Sequence, residues 1–145
     1  MNELITQQLI LLDTEAVSKE EIIKKLAKLI DNDDRLINYD GYVAQVFKRE
    51  EEFATSFGFE VAIPHGKSDA VKSAALAFAR LKNDIQWSEE ERVKYVFLIA
   101  VPETEAGDRH LKILAQISRG LMREEFRNKL KDAANEEELL QVLTF

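Results

Sequence analysis

Two histidines are the side chains of this sequence best suited to nucleophilic chemistry, and each follows a predicted strand. His65 comes after a short apolar run that ends at Pro64, and His110 comes after a longer apolar run that ends at Pro102. Proline cannot donate to a strand ladder, and open α/β sheets place ligands at the carboxyl ends of their strands. We therefore predict that both histidines lie in loops at strand exits and converge on one site.

A neutral imidazole at such a site can act as a nucleophile and form a covalent intermediate. A phosphorylated imidazole is a reactive phosphoryl donor, and phosphoryl transfer depends mostly on positioning and on stabilising charge on the equatorial oxygens. The helix that starts near His110 and the guanidinium of Arg49 can supply that stabilisation. No glycine-rich stretch precedes a Lys-Ser or Lys-Thr pair as a P-loop requires, so we predict no bound ATP and no cofactor.

The same residues also allow other interpretations. The two histidines with Asp69 or Asp108 can form a zinc site, although their spacing matches no compact zinc motif, and we predict no metal. Both histidines can instead be structural: His65 would cap a strand turn, and His110 would bond to the acidic loop before it. Arg49 is either a phosphoryl ligand, because its planar fork suits phosphoryl oxygens, or a solvated charge at a helix end.

Spaced motifs extend across the middle of the chain. They are Glu50, Phe57-Gly58, Val61-Ala62-Ile63 and Pro64-His65-Gly66, with Arg49 and Thr55 upstream and His110-Leu111-Lys112-Ile113-Leu114 downstream. This pattern resembles the active-site signature of the fructose/mannitol-type enzyme IIA of the bacterial sugar phosphotransferase system (PTS). Two positions depart from that signature, because Ala54 stands where serine is common and Glu60 where glycine is common.

The resemblance covers nearly the whole chain and implies one PTS EIIA type-2 domain over residues 1–145. It implies that His65 is the phosphohistidine nucleophile, that His110 orients His65 or stabilises the phosphoryl group, and that Arg49 stabilises phosphoryl charge. The implied donor is the phosphocarrier HPr, and the implied acceptor is enzyme IIB, with the membrane permease enzyme IIC as an indirect partner. A regulatory enzyme IIA-like protein, phosphorylated on the same histidine but signalling to other proteins, is the alternative. The sugar cannot be read, because this component contacts proteins and phosphate only.

The elements that must position these residues follow one order: a strand, two helices, three or four strands, and then helices. The predicted strands cover residues 9–12, 61–63, 74–81 and 93–101, with a short edge element at 85–87. Between them we predict a loop over residues 53–60, a turn over residues 67–69 and a break at residues 83–84. This order predicts an α/β fold in which a mixed, mostly parallel sheet lies between α-helices in a single domain.

Helix starts are marked by capping residues. Ser18 and Glu21 form a capping box, and Asp40 is the predicted cap of the second helix. A third helix begins near His110, a fourth covers residues 124–131, and a last one follows Asn135.

Composition excludes several classes of function. The chain has a net charge of −7 and no basic block, which argues against nucleic-acid binding. It has no cysteine, so thiol chemistry and disulfides are excluded. The longest apolar run, residues 95–101, is far too short to span a bilayer, and the amino end lacks a signal-peptide profile. We predict a cytoplasmic protein with no direct membrane insertion.

Overall fold

The computed structural model describes residues 4–104 and 109–143, and for Arg109 and His110 it describes the backbone only. Its strands are β1 (Ile10–Thr14), β2 (Ser56–Gly58), β3 (Val61–Ala62), β4 (His65–Ser68), β5 (Ala75–Gln86) and β6 (Arg92–Pro102). Its helices are α1 (Lys19–Asn32), α2 (Tyr39–Glu52), α3 (Arg109–Leu121), α4 (Glu124–Asp132) and α5 (Glu136–Val142), and a 3₁₀ turn over Gln7–Leu9 precedes β1.

The strands form one sheet in the order β1-β5-β6-β3-β2, and β4 also pairs with β6. β1 runs parallel to β5, and both β3 and β4 run parallel to β6. The β5–β6 and β2–β3 pairs are antiparallel. Helices flank this sheet: α1 packs on β5, α2 on β4, α3 on β6 and α5 on β1. The predicted α/β class, with a mixed, mostly parallel sheet, is confirmed.

The prediction that His65 lies in a loop past a strand end is wrong. Val61 of β3 pairs with Tyr95, and His65 of β4 pairs with Ile99, which is the same offset along β6. β3 and β4 are therefore two parts of one extended segment in a single register. Pro64 has no amide to donate, which interrupts the ladder, but its carbonyl oxygen still accepts from the Ile99 amide at 3.0 Å.

Other boundaries also differ from the sequence predictions. β2 occupies part of the predicted loop 53–60 because it pairs with β3, and β4 runs through Ser68, where a turn was predicted. β5 continues through the predicted break at residues 83–84, which is a register shift between Arg80 and Ile85. Asn38, and not Asp40, caps α2, since its side chain accepts from the Gly41 amide at 3.0 Å.

The first helix forms as its sequence predicts. The Ser18 hydroxyl accepts from the Glu21 amide at 3.1 Å, and the Glu21 carboxylate reaches back to the Val17 amide at 3.1 Å, one residue before the usual partner. The inward face is apolar and buried, and it consists of Ile22, Ile23, Leu26, Ala27 and Ile30. Among the described residues, no helix combines the length and apolar character that crossing a membrane would need.

Candidate active site

The imidazole of His65 is partly buried and is held by its own strand. Its Nδ1 lies 2.9 Å from the carbonyl oxygen of Ile63, two residues earlier. A carbonyl oxygen only accepts, so Nδ1 carries the proton in this contact. In the neutral ring the lone pair is then on Nε2, because the bond made by one ring nitrogen fixes the tautomer of the other. The contact with the Ile63 carbonyl thus leaves Nε2 as the ring nitrogen that carries the lone pair.

The partner strand is fixed at the same level. Ile99 pairs with His65 across the ladder, and the buried hydroxyl of Tyr42 donates to the Ile99 carbonyl at 2.8 Å. Complete burial raises the pKa of Tyr42 well above its ordinary value, so the hydroxyl keeps its proton and continues to donate. Helix α2 therefore anchors the part of β6 that carries the His65 strand.

Gly66 gives α2 the room for this contact. A Cβ at Gly66 would lie 3.2 Å from Tyr42 Cε1 and 3.2 Å from Val46 Cγ2, tighter than most carbon contacts. A glycine in the strand permits this close approach of a helix. Helix α2 therefore fills the space beside Gly66.

Arg49 lies in the last turn of α2. Its Nη1 donates to the carbonyl oxygen of Phe53, just after the helix, at 2.9 Å. A cation at this position is favourable for the helix dipole whatever else it does. The contact described for Arg49 is thus local, and its role toward a phosphoryl group stays a prediction.

The next residue, Glu50, makes the connection from α2 toward the His65 strand. Glu50 is only 6% exposed. Its carboxylate accepts from the Thr55 hydroxyl, from the Thr55 amide at 3.3 Å and from the Trp87 indole at 3.2 Å. Lys19 lies 3.7 Å away, and its ammonium lies 5.8 Å from the centre of the Trp87 ring. The sequence placed Glu50 and Thr55 in the family pattern but assigned them no role, and no sequence signal linked them to Trp87.

The β2–β3 hairpin before His65 carries backbone strain. Its two turn residues, Phe59 and Glu60, have φ of 56° and 63°. Non-glycine residues rarely adopt the left-handed region, and the family's usual glycine at the second position would fit it better. Phe59 is 47% exposed, and the Arg127 guanidinium lies over its ring, 4.2 Å from the ring centre. The Glu60 carbonyl accepts from the backbone amides of Lys94 and Tyr95. These contacts hold the turn in place.

The second predicted histidine lies at the start of α3, which begins at Arg109. Its side chain is outside the described residues, as is Asp108, so the predicted convergence of His65 and His110 stays a prediction. Among the residues whose side chains are described, no three His, Asp or Glu groups come together as a metal site would need.

Comparison with known proteins places this chain in a family. The sequence profile of the family described as "Phosphoenolpyruvate-dependent sugar phosphotransferase system, EIIA 2" matches residues 3–145. The chain belongs to this EIIA family. Its relatives include the fructose-specific EIIA component of Haloferax volcanii, which is 36% identical over 138 residues that cover 94% of this chain and 89% of the relative. The resemblance drawn from the motifs is confirmed.

Other relatives are much longer than this chain. The fructose-specific EIIABC component of Bacillus subtilis is 32% identical over 99% of this chain but 23% of its own length. Multiphosphoryl transfer protein 2 of Escherichia coli K12 is 31% identical over 97% of this chain and 17% of its own length. The chain therefore spans about a fifth of the length of these two relatives, 17% of one and 23% of the other.

Solved structures show the same fold. The nitrogen regulatory protein IIA-Ntr of Neisseria meningitidis superposes with a TM-score of 0.89 at 27% identity, over 98% of this chain and 97% of that one. The IIA mannitol protein of Escherichia coli superposes with a TM-score of 0.82 at 21% identity, over 97% and 99% of the two chains. The enzyme IIA of a solved complex with phosphorylated enzyme IIB for mannitol, also from Escherichia coli, gives a TM-score of 0.82 at 23% identity over 96% of each chain.

Proposed function

We propose that this EIIA-family chain is a phosphocarrier that accepts a phosphoryl group on His65 from phosphorylated HPr and passes it to an enzyme IIB during sugar uptake. The observation that carries the proposal is the 2.9 Å contact between His65 Nδ1 and the Ile63 carbonyl. This contact puts the lone pair on Nε2, which supports Nε2 as the nucleophilic atom. The family match and the solved enzyme IIA–IIB complex of a structural relative support the choice of reaction and partner.

The transfer exchanges one N–P bond for another. Nε2 of His65 attacks the phosphorus of the HPr phosphohistidine, the N–P bond to the donor histidine breaks, and its electron pair stays on the donor nitrogen. Nδ1 keeps its proton and shares it with the Ile63 carbonyl, which stabilises the positive charge that the ring gains. In the second transfer a nucleophile of enzyme IIB attacks the phosphorus on His65, the N–P bond to Nε2 breaks, and its electron pair stays on Nε2.

Two further residues complete the proposed site. Arg49, near the end of α2, would turn its guanidinium to the phosphoryl oxygens when the group arrives, since a planar fork suits them. His110, in the first turn of α3, would donate to a phosphoryl oxygen or orient the His65 ring, helped by the amides of the helix start. Neither residue would carry the phosphoryl group.

The chain has two histidines, which makes the test direct. Purified phospho-HPr is incubated with the protein in excess chelator, and intact mass and site mapping are done without acid, since phosphohistidine is acid-labile. The wild type and His110→Ala should gain one phosphoryl group on His65, and His65→Ala should gain none while keeping its thermal stability. Labelling of folded His65→Ala, or an unlabelled wild type, would overturn the assignment.

Arg49→Lys tests the charge-stabilising role separately. Lysine keeps the charge but loses the fork, so transfer should slow about tenfold or more with near-normal thermal stability. Rapid-quench rates from phospho-HPr measure this. A rate equal to the wild type in both directions would make Arg49 a helix-end charge only.

A regulatory role is the second candidate function. It is favoured by the similarity to the nitrogen regulatory protein IIA-Ntr, at 27% identity and a TM-score of 0.89. The chemistry at His65 would be the same, and the destination of the phosphoryl group would differ. Transfer from the phosphorylated protein to a purified fructose- or mannitol-type enzyme IIB domain separates the two: rapid transfer indicates sugar uptake, and a stable phosphoprotein indicates regulation.

A further inference from the structure

A continuous set of hydrogen bonds joins a buried carboxylate to the ring of His65. The Glu50 carboxylate accepts from the Thr55 hydroxyl and amide, the Thr55 carbonyl accepts from the Ile63 amide at 3.0 Å, and the Ile63 carbonyl contacts His65 Nδ1 at 2.9 Å. Each link uses a group that the previous link holds in place. The path therefore runs from the end of α2, across the segment before β2, to the ring.

From this path we propose that Glu50 is a positioning residue that sets the tautomer of His65 through Thr55 and Ile63. The inference deepens the proposed phosphocarrier function and rests on it for its effect on transfer. Glu50 does not contact the phosphoryl group in this proposal. It fixes the direction of the Ile63 carbonyl, and that carbonyl keeps the proton on Nδ1.

The burial and the partners of Glu50 fit this role. Its side chain is 4% exposed, and a buried carboxylate is tolerated only when its oxygens are well bonded. Its described partners are all donors: the hydroxyl and amide of Thr55, the indole of Trp87 and, at 3.7 Å, the ammonium of Lys19. They come from α1, from the chain before β2 and from just beyond β5. Contacts that do not involve His65 thus hold Glu50 in place.

The segment between Thr55 and Ile63 needs such an anchor. It contains the short strands β2 and β3 and the strained turn at Phe59 and Glu60. Pro64, which follows Ile63, removes one ladder bond beside the very carbonyl that contacts the ring. The sheet constrains the Ile63 carbonyl less at this break than it would inside a full ladder. The hydrogen bond from the Ile63 amide to the Thr55 carbonyl therefore contributes more to the orientation of the Ile63 carbonyl.

The experiment measures the tautomer directly in the unphosphorylated protein. Long-range proton–nitrogen correlation spectra of protein labelled with ¹⁵N-histidine report which ring nitrogen of His65 is protonated. The wild type should show the Nδ1–H form. Glu50→Leu, which removes both acceptor oxygens, should show a mixture of tautomers, and kcat for transfer from phospho-HPr should fall about tenfold with KM unchanged.

Two variants control for a general loss of stability. Glu50→Gln should behave as the wild type, because its amide oxygen can accept from the Thr55 amide and the indole while its NH₂ donates to the Thr55 hydroxyl. Trp87→Phe removes one donor to Glu50 but leaves the path to His65, so the tautomer should be retained. A tautomer shift in Trp87→Phe as large as in Glu50→Leu would overturn the proposal, because any loosening around Glu50 would then suffice.

If Glu50→Leu does not fold, Thr55→Val tests by itself whether Glu50 sets the His65 tautomer through Thr55. It removes the hydroxyl link and keeps the backbone link, so a partial tautomer shift and a loss of about threefold in kcat are expected. Wild-type tautomer and kcat in the folded variants would overturn the inference. If phospho-HPr fails to label even the wild type, the proposed function fails, whereas the tautomer measurement still tests the positioning by Glu50.

Discussion

Arg80 and Glu50 are both charged and both only 6% exposed, yet their hydrogen bonds lead to different places. Arg80 forms a fork with the Asp13 carboxylate at 3.0 and 3.1 Å. Its Nη1 donates to three carbonyls at the end of α4, those of Leu130, Lys131 and Ala133, at 2.9–3.1 Å. These bonds join β5, β1 and α4, and a cation at a helix end satisfies carbonyls that the helix itself cannot.

Glu50 is buried to the same extent, but its bonds lead to a segment that ends at the ring of His65. Through Thr55 and Ile63 its hydrogen bonds reach His65 Nδ1. Burial of a charge therefore does not by itself indicate its role. The groups at the far end of its hydrogen bonds matter more: those of Arg80 join elements of the core, whereas those of Glu50 lead to His65, which it is proposed to position.

The largest expected effect is on stability, at Arg80. Arg80→Met should lower the free energy of unfolding by about 3 kcal/mol, because the α4 carbonyls and Asp13 lose their donor. Urea unfolding measures this. The folded variant should still accept phosphate on His65 at the wild-type rate and keep the Nδ1–H tautomer. Loss of phosphorylation in a folded Arg80→Met variant would show that the contacts of Arg80 also affect His65, which would contradict the distinction drawn between Arg80 and Glu50.

A smaller effect is expected at the exposed partner of Arg80. The hydrogen bond from Arg80 lowers the pKa of Asp13 below its ordinary value, and this outweighs the opposing effect of burial. A lowered pKa in the folded state means that the carboxylate stabilises the fold above about pH 4 and that this contribution is lost as the pH falls through the folded-state pKa. Asp13→Asn should therefore cost about 1 kcal/mol at pH 7, a modest value because the Asp13 side chain is 62% exposed.

Urea unfolding at a series of pH values checks this, and the gap between Asp13→Asn and the wild type should close at the acid end. Glu15→Gln is the matched control, since Glu15 pairs with Lys82 at 3.6 Å on the surface with 75% of its side chain exposed. It should change stability little at any pH. A gap for Asp13→Asn that stays constant with pH would show that the charge of Asp13 is not what matters.

The smallest effect is a gain in stability, at the strained turn near the site. Glu60 has φ of 63°, so Glu60→Gly should raise the free energy of unfolding by about 0.5 kcal/mol, the relief of strain outweighing the added chain entropy. The tautomer of His65 should not change, because the Glu50 path is intact. A changed tautomer would show that the turn, and not Glu50, directs the Ile63 carbonyl. Absence of any stability gain would show that the contacts of Phe59 already offset the strain.

Local patterns in the sequence predicted much of this protein. Apolar runs, capping residues and helical periodicity depend on near neighbours, so the α/β class, the capping of α1 by Ser18 and the last helix after Asn135 followed from the residues alone. The spaced motifs from Arg49 to Leu114 indicated the family, because residue types and their spacing can be read without the fold. The prediction of Asp40 as the cap of α2 was wrong, because Asn38 lies two residues earlier and both residue types suit a cap position.

Tertiary structure decided how the site is built. Pro64 indicated a strand end, but pairing with β6 resumes in the same register, so His65 lies within an extended segment and its Nδ1 meets the Ile63 carbonyl. Glu50 meets Trp87 across 37 positions, and Arg80 meets Asp13 across 67. Such contacts depend on how the sheet aligns its strands and on where helices pack upon it. No local pattern contains that alignment, because it is fixed by the burial of the whole core at once.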